Sequence, residues 1–413
     1  MTRTVSDSDS VRRQNRGLVL SALRMQGAQS RTALASLTGL SHASMTAIMS
    51  DLLVQGLVSE VAADRVDGRS RGRPATLVHF ARDAAHLALF EIDVNRARLS
   101  LIDYGGVLVD RIETALTPDT FAYQKPTDFL SERLTALLIR TPQAALSLRR
   151  VAISVQGILQ RDGQGLRWSP IPRLAGTSFV SELSEKRNLP VTLHKRGVLL
   201  AEGARWLDPT LYDASVATVF IGSTVAMGVT FRGQIMGRGD EGATEFGHMN
   251  HLPNGALCRC GMRGCIEAYA ADYAVLRTAF SVPETAPPAA AVPVQQYEML
   301  MQRAEAGDRA AKHAFNVAGR AVGYGISRMM AIYDPSHILI VGPGARALEL
   351  MRAEFDQAIG NSLVGKINGL PKIIAHRDET EPVFRGLLMK TLNDIDQLDF
   401  APLPNSERIG PAA

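Results

Sequence analysis

Apolar residues near the start of the chain recur at helical spacing and predict three short helices. The first lies in residues 12–26, where an apolar stripe follows a polar, basic start. Ser30 precedes the second helix, which Gly39 closes because glycine best tolerates a left-handed helix end. Ser41 is the predicted N-cap of the third helix. Two short helices joined through this turn make a helix-turn-helix, although an ordinary helical hairpin has the same pattern.

Two strand-like segments follow, at residues 57–61 and 76–80, with an arginine- and glycine-rich stretch between them. This pattern is typical of a winged module. Small side chains at the start of the third helix can approach base edges in the major groove, and wing arginines suit phosphates or a narrow minor groove. The predicted DNA contacts are Arg31, Ser41, His42, Ser44, Thr46, Arg69, Arg71 and Arg73. A solvated helix face and a solvated loop remain the alternative.

The rest of the chain alternates between apolar strand-like runs and helical segments. This alternation is typical of an α/β protein. The predicted strands cover residues 87–92, 99–103, 107–112, 151–159, 216–222 and 338–342, and a long helix covers residues 309–333. Residues 281–295 are rich in proline and alanine and are predicted to form a surface loop.

Length and composition favour a soluble, multidomain protein. The 413 residues suggest two to three domains, and 46% hydrophobic with 21% charged residues is typical of globular chains. We expect a cytoplasmic protein with no membrane partner, because the sequence has neither an apolar run of membrane length nor a secretory signal. The net charge of +4 resides entirely in residues 1–80, which favours a polyanionic partner for that segment.

One histidine and three cysteines lie within eighteen residues and predict a metal site. His248, Cys258, Cys260 and Cys265 match a Cys3His set, and neighbouring glycines let the backbone fold around an ion. Sulfur ligands favour zinc, and a full ligand shell leaves no position for water, so we expect a structural Zn2+. His251 is a competitor for the histidine position, and a chance cluster of buried cysteines is the alternative.

The run E-x-G-H, followed by C-x-C-G-x-x-G-C-x-E, resembles the signature of the ROK family of repressors, open reading frames and sugar kinases. R-x-N-R near the start, S-R-x-x-L and G-L-S around the predicted turn, and G-R-P at residues 72–74 resemble its sugar-responsive repressor branch. The resemblance implies an α/β actin-like, sugar-kinase fold of two lobes, preceded by an all-α/winged helix-turn-helix DNA-binding domain. It assigns residues 1–82 to the DNA-binding domain, 83–200 to the first lobe and 201–380 to the second, oligomerising lobe, with a C-terminal helix near 380–396 packing back.

The kinase elements of the family are altered in this chain. Its first phosphate loop, D-x-G-G-T in kinases, corresponds to residues 91–95, where larger side chains, one of them charged, replace both glycines. The second loop keeps only its outer glycines, and the catalytic Asn-Asp pair aligns with Leu193 and His194. Phosphoryl transfer needs a phosphate cradle and a carboxylate base. We therefore expect neither catalysis nor ATP binding.

The sugar-side residues of the family are better preserved. The resemblance implies that Glu245, His248 and Glu267 contact an effector, and that zinc fixes the His248 ring for this contact. Ile171 replaces the asparagine usual in a neighbouring loop, so the ligand would differ from a typical sugar or be absent. Alternatively, the two glutamates only orient the zinc loop.

The sequence therefore predicts a DNA-binding ROK regulator, most simply a repressor. Its expected partners are a double-stranded DNA operator, a monosaccharide or derivative as effector, and further copies of itself in a homodimer or homotetramer. Two alternatives stay open. One is an active sugar kinase with an appended DNA-binding domain, and the other is a regulator controlled by a protein that docks on the first lobe.

Overall fold

The computed structural model describes residues 8–62, 76–236, 244–376 and 381–401. The α-helices are α1 (Ser8–Gln26), α2 (Arg31–Thr38), α3 (His42–Val54), α4 (Thr120–Tyr123), α5 (Pro126–Arg140), α6 (Pro142–Leu146), α7 (Phe179–Arg187), α8 (Arg196–Leu207), α9 (Glu267–Ala270), α10 (Asp272–Ala279), α11 (Val294–Glu305), α12 (Arg309–Met330), α13 (Pro343–Arg346), α14 (Leu348–Gly360), α15 (Leu363–Asn368) and α16 (Glu381–Asp394). The strands are β1 (Gln29–Ser30), β2 (Val58–Ala62), β3 (Thr76–Phe80), β4 (His86–Ile92), β5 (Arg96–Asp103), β6 (Leu108–Ala115), β7 (Leu148–Val155), β8 (Ile158–Leu159), β9 (Leu166–Trp168), β10 (Val191–Lys195), β11 (Val216–Ile221), β12 (Val225–Phe231), β13 (Gln234–Ile235), β14 (His337–Val341) and β15 (Lys372–Ala375).

The N-terminal module consists of α1, α2, α3 and a small antiparallel sheet in the order β1-β3-β2. Side-chain caps start both short helices, since the Ser30 hydroxyl accepts from the Ala33 N–H at 3.1 Å and Ser41 accepts from Ser44 at 3.1 Å. Gly39 ends α2 with a φ of 70°, in the left-handed region. The predicted helix-turn-helix therefore forms, and β2 pairs with β3 as a hairpin whose connecting residues lie outside the described part.

Two five-stranded sheets with matching topology build the two lobes. The first has the order β10-β7-β4-β5-β6 and the second β13-β12-β11-β14-β15. In each sheet three neighbouring strands are parallel, β10-β7-β4 in the first and β11-β14-β15 in the second. The remaining two strands of each sheet add to one side in antiparallel pairings. The central strands are apolar on both faces because helices cover both sides. The predicted long strand at residues 151–159 ends instead at Val155, because Gly157 turns the chain with a φ of 147°.

The C-terminal helix α16 crosses α8 closely and also packs on β4 and β7. A Cβ atom on Gly386 would overlap the carbonyl oxygen of Leu199, and one on Gly203 would overlap that of Pro382, so glycine permits the crossing. After α16 the chain continues as a π-helical turn, Ile395–Asp399, beside α1. One apolar core runs without interruption from the N-terminal helices to β4, α8 and α16.

Among the helices described, none combines the length and the apolar character that a membrane span requires.

Candidate metal centre and ligand cleft

The predicted metal ligands lie together in the loop before α9. The ligand atoms of His248, Cys258, Cys260 and Cys265 all lie within 4.8 Å of one another. The Cys260 and Cys265 sulfurs are 3.7 Å apart, and Cys258 Sγ lies 3.8 Å from His248 Nδ1. A tetrahedral ion with metal–sulfur bonds of about 2.3 Å would separate two sulfur ligands by about 3.8 Å. The four side chains could therefore hold one metal ion.

Close backbone contacts shape this loop. Gly264 has a φ of 82°, and a Cβ atom there would overlap the carbonyl oxygen of Leu252. Hydrogen bonds from Cys258 and Cys265 lower the pKa of the Cys260 thiol, which favours the thiolate that metals bind. His251 lies apart from the cluster, with its ring edge-to-face on Tyr269 at 5.1 Å.

A buried ion pair of the first lobe is hydrogen-bonded to the second lobe across the cleft. Arg196, the first residue of α8, lies 3.3 Å from the Asp93 carboxylate, and the Ser223 hydroxyl of the second lobe donates to that carboxylate at 2.9 Å. Gln156 in turn donates to Ser223 at 3.0 Å. Burial alone would raise the pKa of Asp93, but Arg196 and hydrogen bonds from Val94 and Ser223 lower it. A carboxylate thus lies in the loop that binds phosphate in family kinases.

Leu193 and His194, which the sequence aligns with the catalytic Asn-Asp pair of kinases, do not line the cleft. Both residues are buried within β10, and the His194 ring is hydrogen-bonded to Thr192 at 3.0 Å. Lys195 and Arg196, at the junction of β10 and α8, are the residues that line the cleft. Counting back from the helix misplaced the junction by two residues, because the strand continues to Lys195. This junction therefore brings two cationic side chains to the cleft.

The three candidate effector residues surround a small cavity on the other side of the cleft. Glu245, His248 and Glu267 line it together with Trp168 and Lys195. Its volume is about 50 Å³, enough for a few water molecules at about 10–15 Å³ each. Lys195 forms an ion pair with Glu245, and the Trp168 ring meets the His248 ring edge-on at 5.4 Å. Ile171 is buried outside this cavity.

Sequence reasoning missed Trp168 and Lys195. Trp168 ends β9 immediately before the loop that contains Ile171. Its position next to this recognised loop was the feature of the sequence that could have indicated a place in the cleft. The signal for Lys195 was its location directly after the buried run of β10. Neither contact is readable from the sequence, because each joins the first lobe to a loop of the second.

A larger cavity of about 440 Å³ lies on the side of the cleft where Asp93 meets Arg196. The end of the predicted surface loop forms one wall, where Val292 is buried, so this loop is exposed only in part. Burial raises the pKa of Asp272, another lining residue, to about 7, with Arg259 opposing this effect from 3.7 Å.

Arg259 connects the metal loop to the cleft. It lies between two of the cysteines, donates to the carbonyl oxygen of Ser223 at 2.5 Å and to that of Ala289 at 2.9 Å, and stacks on Tyr273 at 4.2 Å. The order of the metal loop and the shape of the larger cavity therefore depend on each other.

The predicted DNA-contacting residues have different surroundings. His42 and Thr46 are exposed at the start of α3, while the Ser41 hydroxyl is used as the helix cap. Ser44 is half-buried, and Thr46 donates to the His42 carbonyl oxygen at 2.8 Å. Arg31 forms an ion pair with Glu60 at 2.6 Å. The wing residues Arg69, Arg71 and Arg73 lie outside the described residues.

Comparisons with known proteins agree with this architecture. The chain is 23% identical over 372 residues to the xylose repressor of Bacillus subtilis (strain 168), covering 89% of this chain and 93% of that protein. A solved ROK family transcriptional regulator, a homologue of the E. coli MLC protein, superposes with a TM-score of 0.71 at 20% identity, covering 93% and 97% of the two chains. A ROK family glucokinase from Streptomyces griseus, solved with glucose and AMPPNP, superposes with a TM-score of 0.57 at 19% identity. The superposition covers 75% of this chain and 99% of the glucokinase.

These superpositions confirm the predicted actin-like fold of two lobes, preceded here by a helical N-terminal module. The sequence profile of the ROK family matches residues 99–386, which is more than half of the chain. The chain therefore belongs to the ROK family.

Proposed function

We propose that this protein is a DNA-binding transcriptional repressor of sugar-related genes. The observation that carries the proposal is the helix-turn-helix formed by α2 and α3. Helix α3, the second helix of the motif, exposes His42 and Thr46 at its start. The xylose repressor, a relative over nearly the whole chain, supports the same role. DNA-binding modules of this type place the start of the second helix of the motif against base edges.

The charge arrangement of the cleft supports regulation without phosphoryl transfer. Asp93 would repel a nucleotide phosphate, and Arg196 stands at the place of a catalytic carboxylate. We propose that the protein does not turn over ATP with sugars.

A negative charge at His42 tests DNA reading without weakening the fold. Glutamate at the first position of α3 favours the helix dipole but repels DNA phosphates. We expect His42→Glu to keep the wild-type melting temperature and to lose about tenfold or more in affinity for a duplex that the wild type selects from a random pool. Affinity would be measured by fluorescence anisotropy at several salt concentrations.

Leu363→Glu is the matched control. Leu363 also follows a capping serine at the start of an exposed helix turn, so this variant adds the same charge to the second lobe. It should bind DNA as the wild type does. Failure of the wild type to select any sequence, or equal affinity of His42→Glu and wild type, would refute the proposal.

We further propose that Zn2+ occupies the Cys3His cluster as a structural ion. The spacing of the four ligand atoms supports this assignment. When bound, zinc would supply cross-linking of the loop rather than chemistry, and the chain's own Arg259 would carry this order to the cleft.

We propose a monosaccharide or derivative as effector, bound between the lobes next to Glu245, His248 and Glu267. The cavity of about 50 Å³ requires that Trp168 withdraw from His248 when a sugar enters. The chain has two tryptophans, so Trp206→Phe leaves Trp168 as the only indole reporter. Sugars that bind should change its fluorescence, and Glu245→Gln should weaken the response. A saturating response that Glu245→Gln leaves unchanged would contradict this placement of the effector.

A further inference from the structure

The segment after α16, residues 395–401, lies between the N-terminal module and the first lobe. On the lobe side, Arg150 donates to both oxygens of Asp399 at 2.7 and 2.8 Å, and the Tyr104 hydroxyl donates to Asp396 at 2.7 Å. On the module side, Arg24 of α1 donates to both oxygens of Asp396 at 2.5 and 3.0 Å. Asp396 thus contacts the module and the lobe with one carboxylate.

The contact between Arg24 and Asp396 is buried and geometrically specific. Their side chains are only 6% and 7% exposed. The Arg24 guanidinium lies over the rings of Phe80 and Tyr104 at 4.9 and 5.4 Å. A two-point guanidinium–carboxylate contact fixes orientation as well as distance, and breaking one side leaves a buried unpaired charge. The pair therefore holds α1 in one orientation on the first lobe.

The same segment reaches the recognition helix α3. Gln55, directly after α3, donates to the carbonyl oxygen of Ala401 at 3.3 Å and accepts from Arg16 at 2.8 Å. Arg16 also donates to the carbonyl oxygen of Phe400 at 2.7 Å. Residues 395–401 therefore hold both α1 and the end of α3 through direct hydrogen bonds.

At its other end the segment is continuous with the cleft. It extends α16, which crosses α8 through Gly203 and Gly386. Helix α8 begins at Arg196, the partner of Asp93 in the cleft. This close packing gives a continuous physical connection by which a shift of α8 at the cleft would reach the segment.

We propose that Asp396 is a positioning residue for DNA reading, which fixes the recognition helix on the lobes. The inference rests on the proposed function. Rigid placement of a recognition helix raises affinity for the correct sequence, because less freedom is lost on binding, whereas contacts with phosphates tolerate a loosely held module. Asp396 therefore determines sequence discrimination more than general DNA affinity.

The experiment compares full-length wild type with Asp396→Asn. Two probes are used, the duplex that the wild type selects from a random pool and a scrambled duplex of equal length. We expect Asp396→Asn to lose about tenfold in affinity for the selected duplex and less than twofold for the scrambled one. Hydrogen exchange should accelerate in residues 10–26 and 395–401 but not in residues 148–155 of the lobe core.

Arg24→Lys is the second variant, in case Asp396→Asn does not fold. It keeps the charge but loses the two-point contact, and should reduce discrimination in the same way. Asp128→Asn is the control, because it removes a carboxylate from an ion pair with Lys186 that lies within the first lobe.

Unchanged discrimination or unchanged exchange of residues 10–26 in the folded variants would overturn the inference. Failure of the wild type to select any duplex would instead refute the proposed function. In that case the exchange measurement still decides whether Asp396 holds the module on the lobe.

Discussion

Asp93 and Arg196 line the cleft and bring opposite charges to it as an ion pair. The sequence predicts that Asp93 lies in a loop corresponding to the first phosphate loop of kinases, and the structure places Asp93 directly after β4. Sequence comparison missed Arg196, because counting along a helix does not reveal where the preceding strand ends. The same limit hid Lys195, whose partner Glu245 is fifty residues away in sequence.

The pH dependence of stability should reveal the buried carboxyl of Asp272. Burial raises its pKa to about 7 in the folded protein, against about 3.9 when unfolded. Between these values the folded state binds more protons, so this group's contribution to the free energy of unfolding decreases as pH rises. We expect Asp272→Asn to remove this decrease. The free energy of unfolding of the variant minus that of the wild type should therefore increase between pH 5 and pH 8. Urea unfolding at several pH values measures this.

Asp208→Asn is the control for this series. Hydrogen bonds from Thr210 lower the pKa of Asp208, so it stays ionised above pH 5 in both states. Its stability curve should run parallel to that of wild type between pH 5 and pH 8. A parallel curve for Asp272→Asn as well would show that burial does not perturb this carboxyl.

Elements whose limits depend on local hydrogen bonds could be predicted from sequence. The predicted caps Ser30 and Ser41 and the closing Gly39 are all found at the ends of α2 and α3. Elements that depend on distant partners could not be predicted. Strand β1 exists because Gln29 and Ser30 pair with β3, and the turn at residues 395–399 is held by Arg24 and Arg150.

The metal loop is the element whose ligand set can be tested most directly. The four predicted ligands lie together, but their occupancy by zinc is still a prediction. We expect the wild type to contain about one zinc ion per chain. Cys258→Ser and His248→Ala should each lose this zinc and melt at a lower temperature, because metal binding contributes to folding. Elemental analysis and thermal unfolding measure these effects.

His251→Ala is the matched control, since His251 lies three residues away but stacks on Tyr269 outside the cluster. It should keep its zinc. Loss of zinc from His251→Ala with retention in His248→Ala would show that the histidine ligand is assigned incorrectly.

On the scale of the whole molecule, the N-terminal module shares its core with the lobes. Leu20 and Leu52 of the module belong to the same buried cluster as Leu87, Leu199 and Leu387 of the lobes. The family resemblance assigned residues 1–82 to a DNA-binding domain, but the sequence pattern does not reveal which apolar surfaces meet. The domain limits themselves remain predictions.

A shared core should make unfolding of the module and the first lobe cooperative. We expect calorimetry to show no separate early transition for the module, and the fluorescence of Trp168 and Trp206, both in the lobes, to follow the same curve. An independent module of about 80 residues would instead unfold with an enthalpy of about 55 kcal/mol. A transition of that size below the main one, in the wild type, would contradict the shared core.

The pairing of Asp93 with Arg196 also has an evolutionary consequence. Mutating either residue alone towards a kinase sequence strands the other charge in a buried site, which costs several kcal/mol. Under the proposed function, a lineage that has acquired both changes would regain phosphotransfer only through unstable intermediates, so selection would refine it as a switch but seldom return it to metabolism.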